Sequence, residues 1–233
     1  MSELSRKIAK IGCKMVHCQL HCKGITNIRS DDTKIFPRCL YLEPSDAESV
    51  DCVIVGINPG PLKLNGKEQD YYRKVGAEYQ DTVEYFNKHP DGPYYKPLRR
   101  LATELGFKSI LWTELCKCET DKDQGGEVPV QTFRTCIRKY LKWELKAVGP
   151  DIPLIGVSDK VYRALSYRFP NRRVIGVPHP TGSRPHTKGS LSQWNDLMKN
   201  YIEKAKAAIN STKAHECVRV FPTDLRKKDQ RRE

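Results

Sequence analysis

The chain has 233 residues, 38% of them hydrophobic, enough for one compact domain with tails rather than two independent cores. It carries 41 Lys and Arg against 28 Asp and Glu, a formal net charge of +13, which favours a polyanionic partner, most simply nucleic acid, over an acidic or neutral surface. No apolar run approaches the roughly 18 residues that span a membrane, and the first residues lack a continuous apolar signal core, so an intracellular protein, in cytoplasm or nucleus, is expected.

Nine cysteines are many for such a chain, and in a reducing compartment they more often bind metal or do chemistry than form disulfides. Cys13, Cys18 and Cys22 fall within the first 30 residues, interleaved with His17 and His21 and surrounded by lysines that favour thiolates. Cys18 and Cys22 are four apart, which places them on one face if the segment is a helix. Cysteines packed as small hydrophobes are the bland reading of the same residues.

An apolar piece, CLYLEP, and an acidic loop, SDAES, lead into VIVGINPG at Val53 to Gly60. Apolar on successive positions, its first half is a buried parallel strand. Its Asn-Pro-Gly turn puts Asn58 at the carboxyl end of that strand, where open α/β sheets bind ligands. Pro59 fixes φ, and Gly56 and Gly60 permit backbone geometry or close approach that a side chain would block. Next comes a polar, aromatic-rich segment through Pro97, expected to be a long loop with one short helix around Thr82 to Lys88. Tyr94 and Tyr95 sit in a Gly-Pro turn before the helix PLRRLATELGF, whose leucines recur at helical spacing.

The strand Ser109 to Cys118 precedes a polar loop and a helix at about Val130 to Leu145, with Cys136 near its first turns. The strand DIPLIGVS, the helix DKVYRALSYRF and the strand RVIGVPHP follow, the last ending in His179. Then come TGSRPHTKGS and a terminal helix, LSQWNDLMKNYIEKAKAAIN. These alternations predict an α/β fold, a three-layer αβα sandwich around a mainly parallel four-stranded sheet. Residues 1–215 form one domain with an N-terminal cysteine-bearing helix, and residues 216–233 a basic, disordered tail. If the strands before Asn58 and His179 are parallel, the two side chains emerge on the same sheet edge and can hold a water and a leaving group.

The GINPG of Gly56 to Gly60 and the HPTGSR of His179 to Arg184 together resemble the two active-site motifs of the uracil-DNA glycosylase superfamily, the first in its mismatch-specific form. The cysteine order resembles the iron–sulfur branch of that superfamily: Cys18 and Cys22, then LCKCE ending just after Cys118, then Pro129, then FRTC with Cys136. The likeness covers roughly residues 13 to 208, in order.

It implies a monofunctional DNA glycosylase that hydrolyses the N-glycosidic bond of a flipped-out uracil or other deaminated or damaged base. Asn58 would position the water and His179 would donate to the departing base. Gly56, Ile57, Pro59, Gly60, Tyr94 or Tyr95, and Glu114 would line the base site, and Ser183 and Arg184 would press into the duplex. Cys18, Cys22, Cys118 and Cys136 would hold a structural 4Fe–4S cluster, or zinc, which four thiolates also accept. DNA is the implied partner, and the protein is expected to be a monomer with no membrane association.

The chain departs from the pattern in three places. The first cysteine pair is spaced C-x-x-x-C, with Cys13 competing with Cys18, and Cys116 competes with Cys118. The family's pyrimidine-reading Asn is replaced by Glu114; a carboxylate only accepts hydrogen bonds, so another base or a lost activity is open. Asn58 can orient a water but cannot act as a base, so slow turnover is expected. The alternative is a metal-stapled module of the same fold that binds nucleic acid without cutting.

Overall fold

The computed structural model describes residues 1–30, 33–60, 67–90, 92–121, 127–180, 202–207, 209–210 and 217–219. Helix α1 (Glu3–Val16) starts on Ser2, whose hydroxyl accepts from Ser5 N–H at 3.0 Å and donates to the Ala47 carbonyl at 2.6 Å. One cap thus ends the helix and docks it on the loop before the sheet. Leu4, Ile8, Gly12 and Met15 form its buried face. The helix ends at Val16, so Cys18 and Cys22 lie beyond it and share no helical face; only Cys13 is helical.

Short pairings follow: β1 (Ile25–Thr26), β2 (Ile28–Arg29) and β3 (Lys34–Ile35), then β4 (Tyr41–Glu43) and β5 (Cys52–Gly56). The segment expected as a long loop contains two helices, α2 (Lys67–Val75) and α3 (Tyr79–Lys88). Its polar surface hides buried aromatics, Tyr72 and Tyr79 among them, which a search for Leu, Ile and Val periodicity overlooks. Helix α4 (Tyr95–Glu104) begins at Tyr95 itself. Strand β6 (Ile110–Glu114) is shorter than expected, because the chain bends before β7 (Glu119–Thr120), which pairs with β1. Helix α5 (Val130–Cys136) runs through a π-helical stretch at Ile137–Leu141 into α6 (Lys142–Val148). Strand β8 (Leu154–Val157), α7 (Asp159–Arg168) and β9 (Val174–Val177) follow; residues 202–207 and 209–210 are helical, and β10 (Cys217–Arg219) closes the described chain.

The central sheet has six strands rather than four, in the order β10-β9-β8-β5-β6-β4. The four expected strands are its parallel centre; β4, from the CLYLEP piece, adds an antiparallel edge, and β10 pairs in parallel with β9. The edge strand β10 therefore lies inside the span expected as tail; residues 220–233 lie outside the described residues.

Both faces of the sheet are covered. On β6, Thr113 reaches α6, its hydroxyl 2.6 Å from Glu144 Oε2, while Trp112 on the opposite face packs against Tyr95 of α4 at 5.2 Å between ring centroids. The α/β three-layer class stands, and burial on both faces explains the continuous apolar runs of β5, β8 and β9. Among the described residues no helix is long and apolar enough to cross a membrane.

Candidate active site and cysteine pocket

Strands β5, β6 and β9 run in the same direction through β8, so their carboxyl ends share one edge. Asn58 follows β5, Glu114 ends β6, and His179 follows β9. All three line one cavity of about 810 Å³, within the size range of small-ligand sites. Ile57, Pro59, Gly60, Tyr94 and Tyr95 line it as well. Gly56 does not line it but packs against two residues that do: a Cβ there would collide with the Glu114 carboxylate and lie 2.6 Å from Tyr94 Oη. Ser183 and Arg184 lie outside the described residues.

Asn58 is tethered. Its Nδ2 donates to Thr120 Oγ1 and to the Pro59 carbonyl, each at 3.0 Å. With both N–H groups engaged, its carbonyl oxygen is the group available to orient a water. The His179 ring lies 5.2 Å from the Tyr94 ring, centroid to centroid. Burial lowers the pKa of His179, so the imidazole is neutral at physiological pH, with one nitrogen a donor.

Glu114 is 6% exposed, and its Oε2 has no hydrogen-bond partner among the described residues. Burial raises its pKa to about 8, against the opposing charges of Lys117 and Arg38. At neutral pH the side chain is therefore mostly a neutral carboxylic acid. It offers one O–H donor beside one carbonyl acceptor, the same pair that an amide offers. Burial thus gives this side chain a donor that residue type alone does not show.

Arg38, not singled out in the sequence, holds the cavity wall. Only 2% exposed, it places Nε 3.2 Å from Glu68 Oε1 and Nη1 3.0 Å from Glu119 Oε1, and its Nη2 donates to the Gly60 carbonyl at 2.6 Å. Burial disfavours its charge, but Glu68, the Cys39 sulfur and Glu119 raise its pKa above the usual arginine value. The signal was an arginine inside the apolar run FPRCLYL. Cys39, beside it on the wall, sits at a φ of 69°, rare for a non-glycine residue. Thr120 carried no such signal.

The four cysteines named for a cluster come together elsewhere. Cys18, Cys22, Cys118 and Cys136 line one pocket of about 10 Å³, with Lys139 and Tyr140 also on its wall. Cys13 is exposed, and neither it nor Cys116 lines this pocket; Cys116 lies beside it, its sulfur 3.9 Å from that of Cys136. Burial, then the neighbouring sulfurs of Cys136, Cys18 and Cys22, push the Cys118 thiol up. Burial, Cys136 and Cys18 do the same to Cys22. Cys136 is the exception: contact with Cys116 and, against burial, the backbone N–H and charge of Lys117 favour its thiolate.

Four cysteine sulfurs lining one pocket are a donor set that a cation would stabilise. In kind and number they fit a four-thiolate centre. Among the described residues, however, no group of three or more His, Cys, Asp or Glu side chains is arranged to hold an ion.

Neither a protein-family model nor a curated protein matches the chain.

Proposed function

We propose that the protein is a DNA glycosylase that hydrolyses the N-glycosidic bond of a deaminated base flipped into the cavity beside Asn58 and His179. The observation that carries this reading is the convergence of Asn58, Glu114, Tyr94 and His179 on one cavity at the carboxyl edge of the parallel sheet. The net charge of +13 supports a polyanionic substrate.

A flipped base is stacked by Tyr94 and read along one edge by Glu114. A neutral Glu114 matches a base edge that sets one acceptor beside one donor, as the carbonyl and N–H of uracil, hypoxanthine and xanthine do, a pairing that a carboxylate could not complete. As the bond to the sugar breaks, negative charge grows on the base and positive charge on the sugar. Neutral His179 donates its N–H to the base oxygen, stabilising charge present mainly in the transition state. The Asn58 carbonyl oxygen orients the water that attacks the sugar carbon; the proton passes to solvent, since an amide cannot accept it. Cys18, Cys22, Cys118 and Cys136 would hold a 4Fe–4S cluster or zinc, whose contribution is structural: it joins the chain after α1 to the loop after β6 and the end of α5.

The test is base release from single- and double-stranded oligonucleotides carrying uracil, hypoxanthine, xanthine or a thymine mismatch. Release of at least one of the lactam bases, abolished in His179→Ala while DNA binding persists, is expected. DNA binding with no release of any base would replace this reading with that of a non-catalytic nucleic-acid-binding module.

A further inference from the structure

Helix α1 carries Lys7, Lys10 and Lys14 at helical spacing, so the three share a face. Facing them, Lys139 and Lys146 flank Trp143 on the long helix through α6. These two lysine rows border a groove of about 610 Å³ whose floor is apolar, formed by Ile11, Tyr140, Trp143 and Ala147. All five lysines are exposed, and so is Trp143, at 51%, with the Lys146 ammonium 5.4 Å from its ring centroid. Lys7 pairs with Glu3 at 2.7 Å. No residue lines both this groove and the catalytic cavity.

An exposed tryptophan between rows of lysines is costly to leave in water and suits a ligand that is both anionic and planar. We infer that the groove between α1 and α6 is a second nucleic-acid contact, one that takes a single strand by stacking a base on Trp143 while the lysines track its phosphates. Charge excludes two other occupants. The chain's own terminal segment, DLRKKDQRRE, is itself basic, and a second copy of the groove would bring lysines against lysines. A duplex buries its bases and offers no free ring face to Trp143. The inference does not rest on the glycosylase reading.

The test uses the full chain and a labelled oligothymidylate containing no removable base, followed by fluorescence anisotropy across a salt series. Trp143→Ala is expected to weaken binding about tenfold, with Trp143→Phe close to wild type. Lys10→Ala/Lys14→Ala/Lys146→Ala is expected to lower the log–log salt slope by about 2, at roughly 0.7 per lost phosphate contact on a single strand. Thermal unfolding checks that each variant is folded, and the single exposed substitution Lys14→Glu serves if the triple variant is not. Unchanged affinity and slope in folded variants would overturn the proposal. So would polyglutamate displacing the oligonucleotide as well as unlabelled oligothymidylate does while Trp143→Ala changes nothing, since that pattern marks an acidic-protein site.

Discussion

Lys117 Nζ lies 2.9 Å from Glu144 Oε2, and neither side chain reaches solvent. The ammonium also donates to the Glu114 carbonyl at 2.7 Å and to the Thr113 hydroxyl. The pair therefore ties the end of β6, which carries the cavity's acid, to α6. Removing one partner strands the other as a buried charge. Lys117→Ala or Glu144→Ala is expected to destabilise the fold by about 3–5 kcal/mol, and Lys117→Met with Glu144→Leu by much less. Urea unfolding of the three variants checks this; equal losses in single and double variants would argue against a coupled pair.

Glu114 makes stability depend on pH. Its folded pKa of about 8 lies above its ordinary value of 4.5, so between these the folded chain holds a proton that the unfolded chain has released. Unfolding then releases a proton, and stability falls as pH rises through that window, by up to about 1.4 kcal/mol per pH unit, levelling off above it. Glu114→Gln keeps a donor beside an acceptor and cannot ionise. Its unfolding free energy is expected to be flatter than wild type across the same window, with the variant gaining relative stability toward high pH. Parallel wild-type and variant curves would remove Glu114 as the group responsible.

Gly56 has no room for a methyl group, because the Glu114 carboxyl and Tyr94 Oη occupy that space. Gly56→Ala is expected to cost about 1–3 kcal/mol in stability through overpacking and to displace Glu114 from the cavity. Under the glycosylase reading, base release drops with it. A variant with wild-type release and wild-type stability would show that the packing around Gly56 yields without consequence.

Placement separates Cys118 from Cys116. Protein purified without oxygen is expected to show visible absorption if the four-cysteine pocket holds an iron–sulfur cluster. Cys118→Ser should abolish that absorption and lower the unfolding midpoint, whereas Cys116→Ser should keep it. Zinc content without colour, lost in the same variant, would assign the metal alternative. The reverse ranking of the two serines would move the ligand to Cys116.

The apolar runs ending at Gly56 and Val177 were legible because both faces of a central strand are buried, and such strands need no alternation. The shared edge of Asn58 and His179 followed from that, since parallel direction alone puts both carboxyl ends together. Of the two helices in residues 67–88, the part of α3 from Thr82 to Lys88 was legible; α2 and the first turn of α3 were not, because buried positions such as Gln69, Tyr72 and Tyr79 mix polar and aromatic residues and blur the helical period. Nor could residue type show that Glu114 is neutral. That property comes from the packing around β6, as does Arg38's reach to carboxylates 30 and 81 positions along the chain.

The order of the residues along the chain has a consequence for biosynthesis. Every residue lining the cysteine pocket precedes position 141, and the lysine–carboxylate clamp beside it is complete by Glu144. His179 and β9 come later. On the ribosome, the half that carries the cysteine pocket can emerge while the cavity at the sheet edge still lacks His179. Assembly of the cysteine pocket and completion of the cavity are thus separated in time, with all four cysteines of the pocket synthesised before the cavity's histidine.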